Sequence, residues 1–173
     1  MRHPGRIFAC ALLAAMLCLT GCMRSAPLKL SSWKDFRREM LDKYNCIRHL
    51  EAEQYYPWLD VNIYYGGDTL PEETREEILE DFHAFLSGEE FLAEYVPYGL
   101  EHVSDQEVYV DPPMPDINIE IMRYGSDTRE YTSSASYYAG GYRSDRKMTV
   151  DNYQTWSDLD RTTNTWIVPS ETE

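Results

Sequence analysis

The chain has 173 residues, of which 16 are basic and 30 acidic, for a formal net charge of −14 at pH 7. Such a charge repels a phosphate backbone, so no nucleic-acid partner is expected. The length suits one domain with a real core, and the four cysteines are a disulfide framework only if they all survive maturation.

Residues 1–22 read MRHPGRIFACALLAAMLCLTGC. Arg2 and Arg6 form a positive start, and Ile7 to Leu19 form an uncharged, mostly apolar run. That run of about 13 residues is too short for a spanning helix, which needs roughly 20. Small residues Thr20 and Gly21 then precede Cys22, the layout of a secretory signal peptide. The ending Leu19-Thr20-Gly21-Cys22 also resembles the lipobox of bacterial lipoprotein precursors, with Thr20 where Ala or Ser is commoner. The resemblance implies cleavage between Gly21 and Cys22 and attachment of fatty acyl chains, palmitate among them, to Cys22. It also implies a lipid anchor on the extracytoplasmic face of a bacterial cell membrane, inner or outer. The alternative is ordinary secretion with a cut nearby.

A cut after Gly21 removes 21 of 173 residues and leaves 152; it also removes Arg2 and Arg6, which takes the charge from −14 to −16. A net charge of that size disfavours lying flat on anionic lipid, which leaves the membrane affinity to the acyl chains. Cys10 and Cys18 leave with the leader and Cys22 is lipidated. Only Cys46 remains, expected as a small buried hydrophobe, with pairing between chains as the alternative.

Residues 22–31 read as the lipidated cysteine and a short tether, 32–168 as a single domain, and 169–173 as a loose polar tail. Ser32 is placed to open a helix in a capping box with Asp35. Trp33, Phe36, Met40, Tyr44 and Ile47 recur at three- and four-residue steps, so the helix is predicted to run to about Leu50–Gln54. Lys34, Arg37, Arg38 and Lys43 make it basic, but Asp35, Glu39 and Asp42 intervene, which favours a solvated face over a lipid contact. Leu59, Val61, Ile63 and Tyr65 alternate with polar residues as in a half-buried strand. A helix follows from Pro71, with Ile78, Leu79, Phe82, Phe85 and Leu86 as its apolar stripe. Ser87 to Glu90 has the spacing of a second capping box, opening a short helix that Pro97 closes.

Beyond Pro97 the pattern turns to β. Val108–Val110, the stretch around Ile117, Ile119 and Ile121, Arg129–Tyr138, Lys147–Trp156 and Trp166–Val168 are the predicted strands, the second and third joined as a hairpin. Helices followed by strands indicate α+β, with helices on one face of a mainly antiparallel sheet. The stretch 59–124 has the form of a crossover between parallel strands.

No catalytic constellation is visible. The chain lacks a Gly-x-Ser-x-Gly elbow, a Ser-x-x-Lys pair and a phosphate loop. Acids are so numerous that carboxylate pairs arise on any fold. His49 with Glu53, and His102 with Asp105 and Glu107, fall short of a metal set, and Cys46 with His49 lacks a cleft. No cofactor and no metal are therefore expected. The aromatics remain: 14 Tyr and 4 Trp. They suit sheet packing, and where exposed they suit recognition of proteins or sugars. Tyr55, Tyr56 and Trp58, with Tyr137, Tyr138 and Tyr142, form the candidate surface. The expected function is non-enzymatic: a membrane-anchored adaptor or accessory subunit that binds another envelope protein. The alternative is a glycan or small-molecule binding module, which a concave aromatic groove rather than a flat apolar patch would favour.

Overall fold

The computed structural model describes residues 25–55, 57–102, 113–139 and 149–167, with Tyr55 described by its backbone alone. Its elements, in chain order, are β1 (Ala26–Pro27), α1 (Ser31–Lys43), β2 (Ile47–Tyr55), β3 (Trp58–Tyr65), α2 (Glu72–Leu86) and α3 (Glu89–His102). Strands β4 (Asp116–Arg123), β5 (Arg129–Ser136), β6 (Trp156–Asp160) and β7 (Thr165–Ile167) follow. All seven strands lie in one sheet in the order of the chain. Each neighbouring pair is antiparallel except β3 and β4, which are parallel. Parallel neighbours need a long crossover, and α2 and α3 supply it. The α+β class and the crossover are as expected.

Alternation decides which face of the sheet is buried. Leu59, Val61 and Ile63 of β3 stand directly beside Ile117, Ile119 and Ile121 of β4, and all six are fully buried. Trp33 and Met40 of α1, the α2 stripe from Ile78 to Leu86, and Phe91 and Tyr95 of α3 join them in one core. Where the helices meet, Phe36 stacks on Phe85 at 4.1 Å and meets Phe82 edge-on at 5.0 Å. The Tyr95 hydroxyl donates to Gln54 at 2.5 Å, which ties α3 to the inward side of β2. The described helices thus reach the sheet through its apolar face. The other face carries Asp60, Asn62, Asn118, Ser134 and Ser157.

Several expected boundaries move. Helix α1 stops at Lys43, and the segment assigned to its last turns is strand β2. A register shift between Ile47 and His49 spaces the inward residues Ile47 and Leu50 three apart, which imitates a helical step. His49 and Glu53 therefore lie on a strand, not a helix. The tether is also shorter than expected, because β1 pairs with Gln54 and Glu53 and both Leu28 and Leu30 are buried in the core.

The Ser32–Asp35 capping box does not form; Leu30 stands at the cap position without a side-chain bond. Glu94 of α3 takes over. Its carboxylate accepts the backbone N–H groups of Ser31 at 2.9 Å and Ser32 at 2.8 Å, and both hydroxyls as well. Those hydroxyls, with the two N–H groups, hold the carboxyl down to about 2 against the cost of burial. Ser87 caps backwards, donating to the His83 carbonyl at 2.7 Å at the end of α2.

Pro97 lies inside α3 rather than ending it. It removes a single backbone donor, and the burial of Phe91 and Tyr95 holds the helix on the core regardless. The return strand ends at Ser136, two residues early; of the expected strand at Lys147–Trp156, the described residues 149–155 hold an isolated bridge at Val150 and a turn leading into β6. Val108–Val110 and the tail 169–173 lie outside the described residues.

Candidate functional site

The start of β3, the first residues of β4, the end of β5, and the turn before β6 with its first residues line a groove of about 500 Å³ on the polar side of the sheet. Register builds it. Trp58 stands beside Asp116 and Asp60 beside Asn118 on β3–β4, while Asn118 faces Ser134 and Ser134 faces Ser157 across β4–β6. A polar relay crosses three strands: Ser134 donates to the Asn118 carbonyl at 3.0 Å, and the Asn118 amide donates to Asp60 at 3.0 Å. Asp116 is half-buried at the groove's end, where burial pushes its carboxyl up and a hydrogen bond from Ser136 opposes that.

The opposite rim is fixed by an unusual turn. Asn152 and Tyr153 take φ values of 56° and 55°, the left-handed region that side-chain-bearing residues rarely occupy. Asn tolerates it; Tyr153 is held there because its ring is fully buried and its hydroxyl donates to the Pro115 carbonyl at 2.8 Å. The turn sets Asp151 on the groove, where its carboxylate accepts Thr155 N–H at 2.9 Å and the Thr155 hydroxyl at 3.0 Å. Backbone strain stored beside a concavity is a common mark of a built site.

Of the aromatic candidates, Trp58 and Tyr138 line this groove. Trp58 is partly exposed, whereas Tyr138 is buried and Tyr137 packs edge-on against Tyr138 and Tyr153. Tyr56 and Tyr142, with Gly21 and Cys22, lie outside the described residues, as does the side chain of Tyr55. Compared with known proteins, the chain matches no family model, and no curated protein or solved structure matches it significantly.

On the helix side of β5 and β6 a second group assembles that the sequence pattern did not reveal, because its members are 50 and 25 residues apart in the chain. His83 Nε2 lies 3.0 Å from Ser133 Oγ, and its ring stacks on Trp156 at 3.9 Å. Asp158 stands directly across from Ser133, with one buried carboxylate oxygen unpartnered. These are the residue types of a nucleophilic triad, but Ser133 is 1% exposed and out of reach of substrate. The group is structural. Burial brings the His83 imidazole down to about 4, with Asp158 pulling the other way.

The unfolded chain protonates His83 near its ordinary value of about 6.5, the folded chain only near 4. Stability from this group is therefore complete above pH 6.5 and declines as pH falls from 6.5 to 4. The loss is about 2 kcal/mol after allowance for partial exposure. Denaturant titrations across that window read it directly, and His83→Gln should flatten that part of the profile.

Among the described residues no three His, Cys, Asp or Glu side chains converge as metal ligands; His49 instead meets Glu51 at 3.2 Å. The side chain of His102, with Asp105 and Glu107, is outside them. Cys46 is a half-buried free thiol at the margin of the core, its pKa raised by burial. No described helix is long and apolar enough to cross a membrane.

Proposed function

We propose that the protein is a lipoprotein held through Cys22 at the extracytoplasmic face of a bacterial membrane, where its groove binds a hydroxyl-rich ligand of the glycan class. The groove carries the reading. It combines a partly exposed indole, Trp58, with two carboxylates, an amide and several hydroxyls, from Asp116, Asp151, Asn118, Ser134 and Ser157. An aromatic face for a sugar ring, ringed by acceptors for its hydroxyls, is the usual composition of such a site. Among the described residues the exposed large apolar side chains are Leu100 on α3, Tyr124 and Val150 outside the named elements, and Trp166 on β7. A protein partner is the second reading, favoured by the acids Glu51, Glu53 and Asp60 on the β2–β3 pair.

Glycan-array screening of the detergent-solubilised protein tests the first reading. One oligosaccharide class should bind, with at least a tenfold loss in Trp58→Ala, as expected when a stacking contact of about 1.4 kcal/mol disappears. Binding indifferent to Trp58, or no glycan binding together with one dominant crosslinked envelope protein, would favour the adaptor.

A further inference from the structure

The sequence scatters acids among the bases of α1, and the fold gathers all three acids with Arg38 and Lys43 on one side, leaving Lys34 and Arg37 on the other. Asp35, Glu39 and Asp42 line one hollow beside the helix, where Arg38 pairs with Asp35 at 2.8 Å and Lys43 reaches Asp81 at 2.6 Å. Lys34 and Arg37 turn to the other side. With Lys29 they line a cleft of about 590 Å³ between the β1 segment, the start of α1 and β2.

Both carboxylates of that cleft are hydrogen-bonded. Glu94 holds the serines at the start of α1, and Glu51 accepts the Tyr64 hydroxyl at 2.9 Å beside His49. Arg37 is braced by its bond to the Leu50 carbonyl at 2.6 Å. Lys29 and Lys34 are exposed and have no ion pair among the described residues. The charge asymmetry extends to the chain as a whole. Residues 23–50 hold seven basic and three acidic side chains, and residues 51–173 hold seven basic and 27 acidic ones.

We infer that this cleft seats the anionic phospholipid headgroups of the membrane that carries the protein, so that the β1 edge and α1 rest on the bilayer. The inference rests on the lipid anchor proposed at Cys22. From Cys22 the chain has four residues to Ala26, at most about 14 Å, before β1 pairing fixes it to the sheet. Pro27, Leu28 and Lys29 at the cleft therefore cannot be far from the headgroups. The cleft holds three bases, Lys29, Lys34 and Arg37, against two carboxylates, Glu51 and Glu94, an excess of one positive charge in a chain that is strongly negative as a whole. Opposite charges within a Debye length attract whatever the remainder of the molecule carries.

The test uses the full acylated protein in vesicles of phosphatidylcholine, with or without phosphatidylglycerol, read by amide hydrogen exchange. Residues 27–37 should exchange at least about tenfold more slowly on the anionic vesicles, and high salt should abolish the difference. Lys29→Glu/Lys34→Glu should abolish it too, with the melting temperature unchanged because both side chains are exposed. Floating, acylated protein that exchanges equally on both vesicles overturns this inference alone. The same protection from inorganic phosphate without anionic lipid overturns it as well. A protein that carries no acyl mass and floats with neither vesicle overturns the anchor, and this inference with it.

Discussion

Phe82→Asp should leave the domain unfolded at room temperature, and Ile78→Asp should do nearly the same. Both side chains are fully buried. Phe82 meets Phe36 edge-on at 5.0 Å and lies 6.5 Å from Trp33, so it fills the junction where α1 and α2 close over the sheet. Removing such a ring costs about 3–5 kcal/mol, and the carboxylate left in its place adds a desolvation penalty of several more. A domain has only about 5–15 kcal/mol in reserve. Phe82→Leu keeps apolar volume and should lose about 1–2 kcal/mol, which separates loss of packing from burial of charge. Circular dichroism with thermal melting decides: a native melting temperature for Phe82→Asp would mean that α2 does not face the sheet as described.

Cys22→Ala should remove the acyl chains and, with them, stable membrane attachment. Each buried methylene contributes about 0.8 kcal/mol, so losing two chains shifts the membrane partition by far more than ~100-fold. The variant is expected either in the soluble fraction or as an unprocessed precursor that retains residues 1–21. Fractionation with intact-mass measurement distinguishes these outcomes. Acylated, membrane-bound Cys22→Ala protein would overturn the anchor. A wild-type protein cleaved nearby and free of lipid would establish ordinary secretion instead.

The candidate groove was only partly legible in the sequence. Trp58 and Tyr138 belong to the aromatic surface that the sequence offers, and both line the groove. Asp116, Asn118, Asp151 and Ser134 did not stand out, because acids and hydroxyls are common in this chain and gain meaning only through strand register. Local pattern places the turn at Asn152–Tyr153 in a strand. Its conformation depends on the burial of Tyr153 against Pro115, which local pattern does not encode. Strand β2 imitates a helix in sequence for a related reason: a bulge spaces its first inward residues as a helix would.

What the sequence determined by itself is the set of elements with one unbroken period. The alternation at 59–65 and 117–121 and the stripe of α2 each bury a complete face, and no other conformation of those segments does so. From these alone follow the α+β class and the crossover between parallel strands. Tertiary structure decided the rest: where α1 ends, how far the fold reaches toward Cys22, and which charges share a surface. Glu94 caps a helix 62 residues away, and two of the four bases of α1, Lys34 and Arg37, turn away from its acids while Arg38 and Lys43 stay beside them. Local periodicity records which face is apolar, whereas the partner of a polar side chain is chosen by contacts distant in sequence.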